Sequence, residues 1–248
     1  RDRTSDGLAE LKDYPESLVI LGAGVIGCEF ATIFSLLGKT KVYLIDKSDH
    51  ILHSEDLDVV EMVEENLQDK GITIHRNASL LSMEQTNNGV TYELAFQNGT
   101  KESFQVEKAL VAVGRVPNTE TLGLENTSVQ LDQRGFVVEP NKDACTHCPH
   151  IYAIGDLTCD IALVNVAELE GRYAVAKMFQ KAVPPLTYEN ISTIMFLHPE
   201  VAGVGLNEKQ ARKKGLDYRV AKIQFEAIPR AIAMQEKRGF FKICLLYT

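Results

Sequence analysis

The sequence predicts an α/β fold, and three observations predict it. An apolar run, Leu18 to Leu21, enters a Gly22-x-Gly24-x-x-Gly27 turn, and an apolar helical pattern leaves it. Strand and helix patterns then alternate as far as residue 74, which is the order of a parallel sheet. From residue 78 the apolar period becomes two between turn signals, which predicts an antiparallel meander.

Each element follows from local sequence. The first helix is expected over Val25 to Leu37, with Ile26, Phe30, Ile33, Phe34 and Leu37 on one face, and Gly38 ends it. Lys41–Ile45 is the next strand, closed by Asp46. Ser54 is the expected N-cap of a second helix, with Glu55 and Asp56 suited to its positive end. Leu57, Val60, Val63 and Leu67 form its apolar stripe, and Gly71 closes it before a strand over Ile72 to Ile74. Val90, Tyr92, Leu94 and Phe96 then alternate with Thr91, Glu93 and Ala95, between Asn87-Asn88-Gly89 and Asn98-Gly99. Residues 78–109 read as the meander, leading into a buried strand, Ala109 to Val113, that stops at Gly114. A strand over Ile151 to Ile154 runs into Gly155-Asp156, and an amphipathic helix spans Leu163 to Phe179. Pro184-Pro185 reads as a linker. Beyond it lies a separate α/β piece, with strands Ile194 to Leu197, Val201 to Val204, Arg219 to Phe225 and Phe240 to Leu245, and a charged helix over Glu208 to Lys214.

Bulk properties narrow the class. At 248 residues, 45% apolar and 24% charged, the chain has the composition of a globular protein of one large or two modest domains. A net charge of −8 argues against nucleic acid or an anionic membrane as partner. No apolar stretch reaches the roughly 18 residues of a membrane helix. The chain opens on Arg-Asp-Arg without Met, so targeting stays open. Five cysteines, Cys28, Cys145, Cys148, Cys159 and Cys244, are odd in number and scattered. They suit a reducing compartment, the cytoplasm or an organelle matrix.

The glycine turn carries the chemistry. Gly22 permits the tight turn, Gly24 lets backbone approach a pyrophosphate, and Gly27 lets the helix pack on the strand. The amides of the new helix, from Val25 and Ile26 onward, then face the phosphates. Asp46 follows Gly27 by nineteen residues, near the spacing of the acid that accepts from an adenosine ribose. A carboxylate there would repel a 2′-phosphate, which favours NAD over NADP, although Lys47 beside it weakens that preference. The alternative is a Rossmann-like unit that binds nothing, with Asp46 merely ending a strand. Cys145-Thr-His-Cys148 is a C-x-x-C, a spacing used for redox and metal chemistry. His147 and His150 crowd it too closely for a convincing zinc set, so the cysteines read as structural. His198-Pro199-Glu200 reads as part of a strand end, Cys28 as core, and His50 and His53 as solvated.

Four ordered blocks, GAGVIGCE (22–29), AVGRVPNT (112–119), IYAIGD (151–156) and LHPEVAGVG (197–205), make the chain similar to the pyridine-nucleotide flavoprotein disulfide reductases. Dihydrolipoamide dehydrogenases belong to that family. The resemblance implies an NAD-binding domain over residues 12–113, inserted in an FAD domain whose returning half spans 114–184. It also implies the start of an α+β dimerisation domain over 187–248. It places the NAD pyrophosphate on Gly22 to Gly27, Val25 and Ile26 included, and the adenosine ribose on Asp46. Glu29 would stand beside the nicotinamide, or else complement the helix dipole. Leu80 would lie near the adenine, and Gly114 where the two cofactors approach. Asp156 would take a ribityl hydroxyl of FAD. Ala162, Leu163, Val164 and Asn165 would form the helix start beneath the flavin, with Asn165 where the family often has His.

The departures matter equally. The family's first FAD motif, its redox Cys-x4-Cys and its His–Glu acid/base pair have no counterpart here, so no catalytic residue and no metal site is expected within the chain. The expectation is a piece of an NADH-dependent FAD enzyme, a homodimer when intact, acting on a lipoyl or other small disulfide substrate. The alternatives are a flavin transhydrogenase without a redox disulfide, or a non-catalytic dinucleotide-binding module. The chain alone is expected to bind NADH, to hold FAD poorly and to lack disulfide reductase activity.

Overall fold

The structure, a computed structural model, describes residues 3–4, 7–8, 11–141, 143–158, 161–179 and 182–246. The chain divides into two compact units, residues 1–113 with 192–248, and residues 114–191.

The first unit begins with β1 (Arg3–Thr4), β2 (Ser17–Leu21), α1 (Val25–Leu36), β3 (Lys41–Ile45), α2 (Leu57–Asp69) and β4 (Thr73–His75). The meander is β5 (Ala78–Thr86), β6 (Gly89–Phe96) and β7 (Lys101–Val106), and the chain returns through β8 (Lys108–Val111). The parallel sheet has the order β1-β8-β2-β3-β4. Alternation along β2 sends its side chains to two cores. Leu18 and Ile20 join Cys28, Ala31 and Phe34 of α1 and Val60, Val63 and Leu67 of α2. Val19 joins Ile45, Ala78, Val90, Tyr92 and Leu94. Helices therefore cover one sheet face and the antiparallel meander the other, and β2 is buried on both.

Several expectations shift at the residue level. The face of α1 toward the sheet is Gly27, Cys28, Ala31, Thr32 and Phe34, whereas Ile33 and Leu37 are exposed. Close approach of helix and strand favours the small residues over the bulky stripe. The N-cap of α2 is Asp56 rather than Ser54, and Leu57, at the helix's first position, is exposed. The β4 strand runs one residue later than expected, and β8 stops at Val111, leaving Val113 exposed. Residues 78–106 form the meander as the alternation predicts, with a register shift between Leu80 and Ser82.

In the second unit, Ile151 to Ile154 form no strand. Tyr152 makes one antiparallel bridge, to Cys145, closing a hairpin whose loop holds His147 to His150. A 3-10 turn over Gly155–Leu157 follows, then α3 (Val164–Phe179).

Residues 192–248 fold as β9 (Ser192–Met195), β10 (Val201–Val204), α4 (Glu208–Lys213), β11 (Tyr218–Gln224), α5 (Pro229–Ala233) and β12 (Phe240–Leu246). Strand β9 pairs with β10, and β11 with β12, both antiparallel. The sequence reading missed the short helix α5, whose signal is Pro229 at its start. Packing, hydrogen bonds and ion pairs join this region to the parallel-sheet part. Met195 and Leu197 enter the helix-side core. Lys242, 9% exposed at its side chain, reaches Asp56 at 2.7 Å, Asp58 at 2.6 Å and Glu208 at 3.1 Å. Asp56 also accepts the amides of Glu208 and Lys209, so it caps α4 instead of its own helix.

Burial acts to raise the Asp56 and Asp58 carboxyls. Hydrogen bonds from Lys242, from α4 amides at Asp56 and from Lys222 at Asp58 outweigh it and hold both below the ordinary 3.8. Their contribution to stability is therefore complete above that value and lost as pH falls through the depressed folded values. Lys242→Met should cost about 3 kcal/mol of unfolding free energy at neutral pH, because Asp56 is left buried without its cation. Urea unfolding should show this difference shrinking in acid. A difference that stays constant down to about pH 2 would contradict the network.

Candidate functional site

The site forms where β2 ends beside β3 and β8. Gly22 has φ +99°, a conformation that favours glycine, and a Cβ there would lie 2.5 Å from the Ala112 carbonyl oxygen. Its amide donates to Ile45 O at 2.9 Å. A Cβ on Gly27 would lie 1.9 Å from Gly22 O, so helix and turn meet closer than any side chain permits. Both glycines are thus demanded by the fold. Gly24 is different. It is the N-cap of α1 with φ −76°, and a Cβ on it would meet nothing within 4 Å. No side chain caps α1. The first-turn amides, those of Val25, Ile26 and Gly27, are left for an acceptor from outside, where the helix dipole favours negative charge.

Asp46 lies 8% exposed at the end of β3. Its Oδ2 accepts the Ala23 amide and its Oδ1 the Ser48 amide, each at 2.9 Å. The carboxylate therefore braces the glycine turn, and each oxygen keeps a lone pair for a further donor. Lys47 beside it is exposed. Leu80 lies on β5, partly buried against the meander core, two residues beyond Ala78, whose amide donates to Asp46 O.

Glu29 lies beyond the first turn of α1, which has no acidic residue, so a helix-dipole role does not account for it. Its Oε1 accepts the Phe196 amide at 2.8 Å, just past β9. Sequence reasoning missed this contact, since no local pattern pairs positions 167 residues apart. His50 is not solvated as expected: its side chain is 20% exposed and pairs with Asp49. His53 is exposed.

The second unit holds the remaining predicted residues. Gly114 has φ +126° with open space where a Cβ would stand. Asp156 is exposed in its 3-10 turn, 3.8 Å from Arg115. Gly155 before it has φ +68°, and its amide donates to Glu170 Oε2 at 2.6 Å. Glu170, only 2% exposed, also accepts the Tyr188 hydroxyl at 3.0 Å. It fixes the turn that presents Asp156. The sequence carried a signal for it, a carboxylate midway between buried Val166 and Ala174 on one helix stripe. Ala162, Val164 and Asn165 are exposed at the start of α3, and Leu163 is half-buried. Among the described residues one acidic cluster, Asp56, Asp58 and Glu208, has metal-ligand proximity, and the Lys242 ammonium fills it.

The profile of the pyridine nucleotide-disulphide oxidoreductases matches residues 1–171, and that of their dimerisation domain residues 191–246. A dihydrolipoyl dehydrogenase of Bacillus subtilis (strain 168) is 35% identical over 240 residues, 96% of this chain and 50% of the relative. A mercuric reductase of Staphylococcus aureus is 32% identical over 97% of this chain and 43% of its own length. Among solved structures, the HOCl-induced flavoprotein disulfide reductase RclA of Escherichia coli superposes with a TM-score of 0.87 at 30% identity. That match covers 98% of this chain and 54% of the RclA chain. The chain spans about half the length of the curated relatives it matches.

The steric demand at Gly27 is directly testable. Gly27→Ala should lower stability by about 3 kcal/mol, the upper end for overpacking. An unchanged unfolding midpoint in a thermal melt would contradict the helix–turn contact.

Proposed function

We propose that this chain, which belongs to the pyridine nucleotide-disulphide oxidoreductase family, is the nucleotide-binding and interface portion of an NADH-dependent, FAD-containing reductase of the dihydrolipoamide dehydrogenase kind. Gly24 carries the reading. The fold makes no steric demand for glycine there, and its φ suits any residue. A ligand lying against the backbone supplies the missing reason. The uncapped amides of Val25, Ile26 and Gly27 fit a diphosphate. A nicotinamide nucleotide bound there would supply a hydride for a flavin.

The chain's own residues bind and orient. Asp46, already braced by Ala23 and Ser48, accepts ribose hydroxyls and disfavours a 2′-phosphate, which supports NAD over NADP. Glu29, held by the Phe196 amide, presents its carboxylate to a carboxamide N–H. Leu80 offers apolar surface to the adenine. In the second unit, Gly114 leaves room beside a ring, and the Asp156 turn, fixed by Glu170, suits a ribityl hydroxyl. The exposed start of α3, Ala162 to Asn165, offers a positive helix end to a reduced flavin.

The same proposal includes a homodimer acting on a lipoyl or other disulfide substrate. Supporting the dimer, Ile223, Phe241, Ile243 and Leu245 lie exposed on one face of the β11–β12 ribbon. Among the described residues, no helix is long and apolar enough to cross a membrane. The four described cysteines are free thiols, in keeping with the cytoplasm or an organelle matrix.

Two variants test the nucleotide site by calorimetric titration. Gly24→Ala should cost only about 1 kcal/mol of stability, the usual loss on replacing a favoured N-cap residue by Ala. The same change should weaken NADH binding about tenfold or more, a loss of roughly 1.4 kcal/mol. Equal NADH affinity in wild type and Gly24→Ala would overturn the site. Asp46→Arg should shift relative affinity from NADH toward NADPH, and an unchanged ratio would remove Asp46 from the ribose.

A further inference from the structure

The nucleotide reading leaves one buried charge without a task, the carboxylate of Glu64 on α2. It lies among buried Val60, Val63 and Leu67. We propose that Glu64 is a positioning residue for the nucleotide site. It holds a strap, residues 48–52, that fixes the Ala23 carbonyl and with it the backbone from which the α1 amides start. This role presupposes that those amides hold the diphosphate, as proposed for them.

The path from Glu64 to the turn is short. Its Oε1 accepts the Ile51 amide at 3.3 Å, and its Oε2 accepts Arg76 Nη1 at 3.0 Å. Arg76 lies directly after β4, so the ion pair anchors one carboxylate oxygen and leaves the other to the strap. The next amide along, that of Leu52, donates to Ala23 O at 2.9 Å. At the strap's other end the Ser48 amide donates to Asp46 Oδ1, and Ser48 O accepts the Asn77 amide at 2.8 Å.

The strap is held under constraint. Leu52 has φ +46°, in the left-handed region, which a bulky residue adopts only where its surroundings impose it. Ile51 and Leu52 are both buried, so an Ile51 amide without an acceptor would be stranded away from water. Glu64 is the acceptor the structure gives that amide.

The glycine turn needs such a tether. Ala23 stands between Gly22 and Gly24, and a Cβ on Gly24 would meet nothing within 4 Å, so packing alone does not set the backbone there. Hydrogen bonds on both sides of Ala23 do. Its amide goes to Asp46 Oδ2, and its carbonyl takes the Leu52 amide. The amides of Val25, Ile26 and Gly27 are thereby presented in one orientation before a ligand arrives, and binding does not have to order them. Without Glu64 the Ile51 amide is stranded, Leu52 relaxes from its left-handed conformation and the Ala23 carbonyl loses its donor. Affinity then falls although no ligand contact has been removed.

The test uses the 248-residue chain. Glu64→Met keeps the side-chain length and removes the acceptor, whereas Glu64→Gln keeps an oxygen for Ile51 and removes the charge. Val63→Ala, on the same helix, controls for lost packing. Circular dichroism confirms that each variant is folded. Calorimetric titration with NADH should show about fivefold weaker binding by Glu64→Met, the equivalent of one hydrogen bond. Glu64→Gln and Val63→Ala should stay within about twofold of wild type, although Val63→Ala melts earlier. In the unliganded, isotope-labelled chain the Ala23 and Gly24 amide resonances should move in Glu64→Met and hold in Glu64→Gln. Glu64→Asp, whose shorter reach also frees Ile51, takes the place of Glu64→Met should that variant not fold. Wild-type affinity in Glu64→Met, or a Glu64→Gln as weak as Glu64→Met, would remove Glu64 from the site. A wild-type chain that binds no NADH would instead overturn the nucleotide reading. The Ala23 and Gly24 resonances then decide the tether by themselves, and unmoved in Glu64→Met they refute it.

Discussion

The constraint on which the structure depends is the contact between α1 and its own turn. With Gly22 O lying 1.9 Å from where a Gly27 Cβ would be, the helix axis is drawn down onto the end of β2. That approach selects the small face, Gly27, Cys28 and Ala31, for burial and leaves Ile33 and Leu37 outside. It also aims the uncapped helix start at the open space over Gly24. Asp46 completes the arrangement by tying β3 to the turn through the Ala23 amide. On the proposed reading the same carboxylate would face the ribose, so substitutions at Asp46 act on the turn as well as on the nucleotide.

A second theme is how residues 192–248 meet the parallel-sheet part. The Glu29–Phe196 hydrogen bond joins the first helix to the segment after β9. The Lys242 cluster joins α2 to α4 and β12. Asn66 of α2 and Lys70, which caps its C-terminus, both donate to His198 O. Glu29 is thus positioned by a distant backbone, so the orientation of that carboxylate depends on the integrity of β9. A buried ion-pair cluster adds little net stability over an apolar one, but it penalises every arrangement that strands a charge. Here it ties the start of α2 to α4 and β12.

Legibility in the sequence followed the range of the determining interactions. The glycine turn, the strand–helix alternation and the meander were readable because each rests on local steric or periodic rules: glycines that permit close approach, and a period of two at Val90, Tyr92 and Leu94. The buried face of α1 departs from the bulky stripe because the approach distance set at Gly27, which no periodicity encodes, selects small residues. Ser54 looked like a cap, yet the local pattern could not show that Asp56 would start α2 and spend its carboxylate on α4. Ile151 to Ile154 has strand composition but lacks a long partner, so it makes a single bridge. Of the candidate site, the tight turn over Gly22 to Gly27 and the place of Asp46 at the end of β3 are legible from spacing. The Phe196 contact is not, because it is made by backbone across the fold. Glu170 was partly legible, as a charge on a buried stripe that needs a partner.

The central claim is that the amides at the start of α1 hold a dinucleotide's diphosphate. Amide chemical-shift mapping of the isotope-labelled chain during NADH titration tests it most directly. The account predicts the largest, saturable shifts at Ala23, Gly24, Val25, Ile26 and Gly27, with smaller ones around Asp46. Saturable binding whose largest shifts fall elsewhere, with these five amides unmoved, would contradict it.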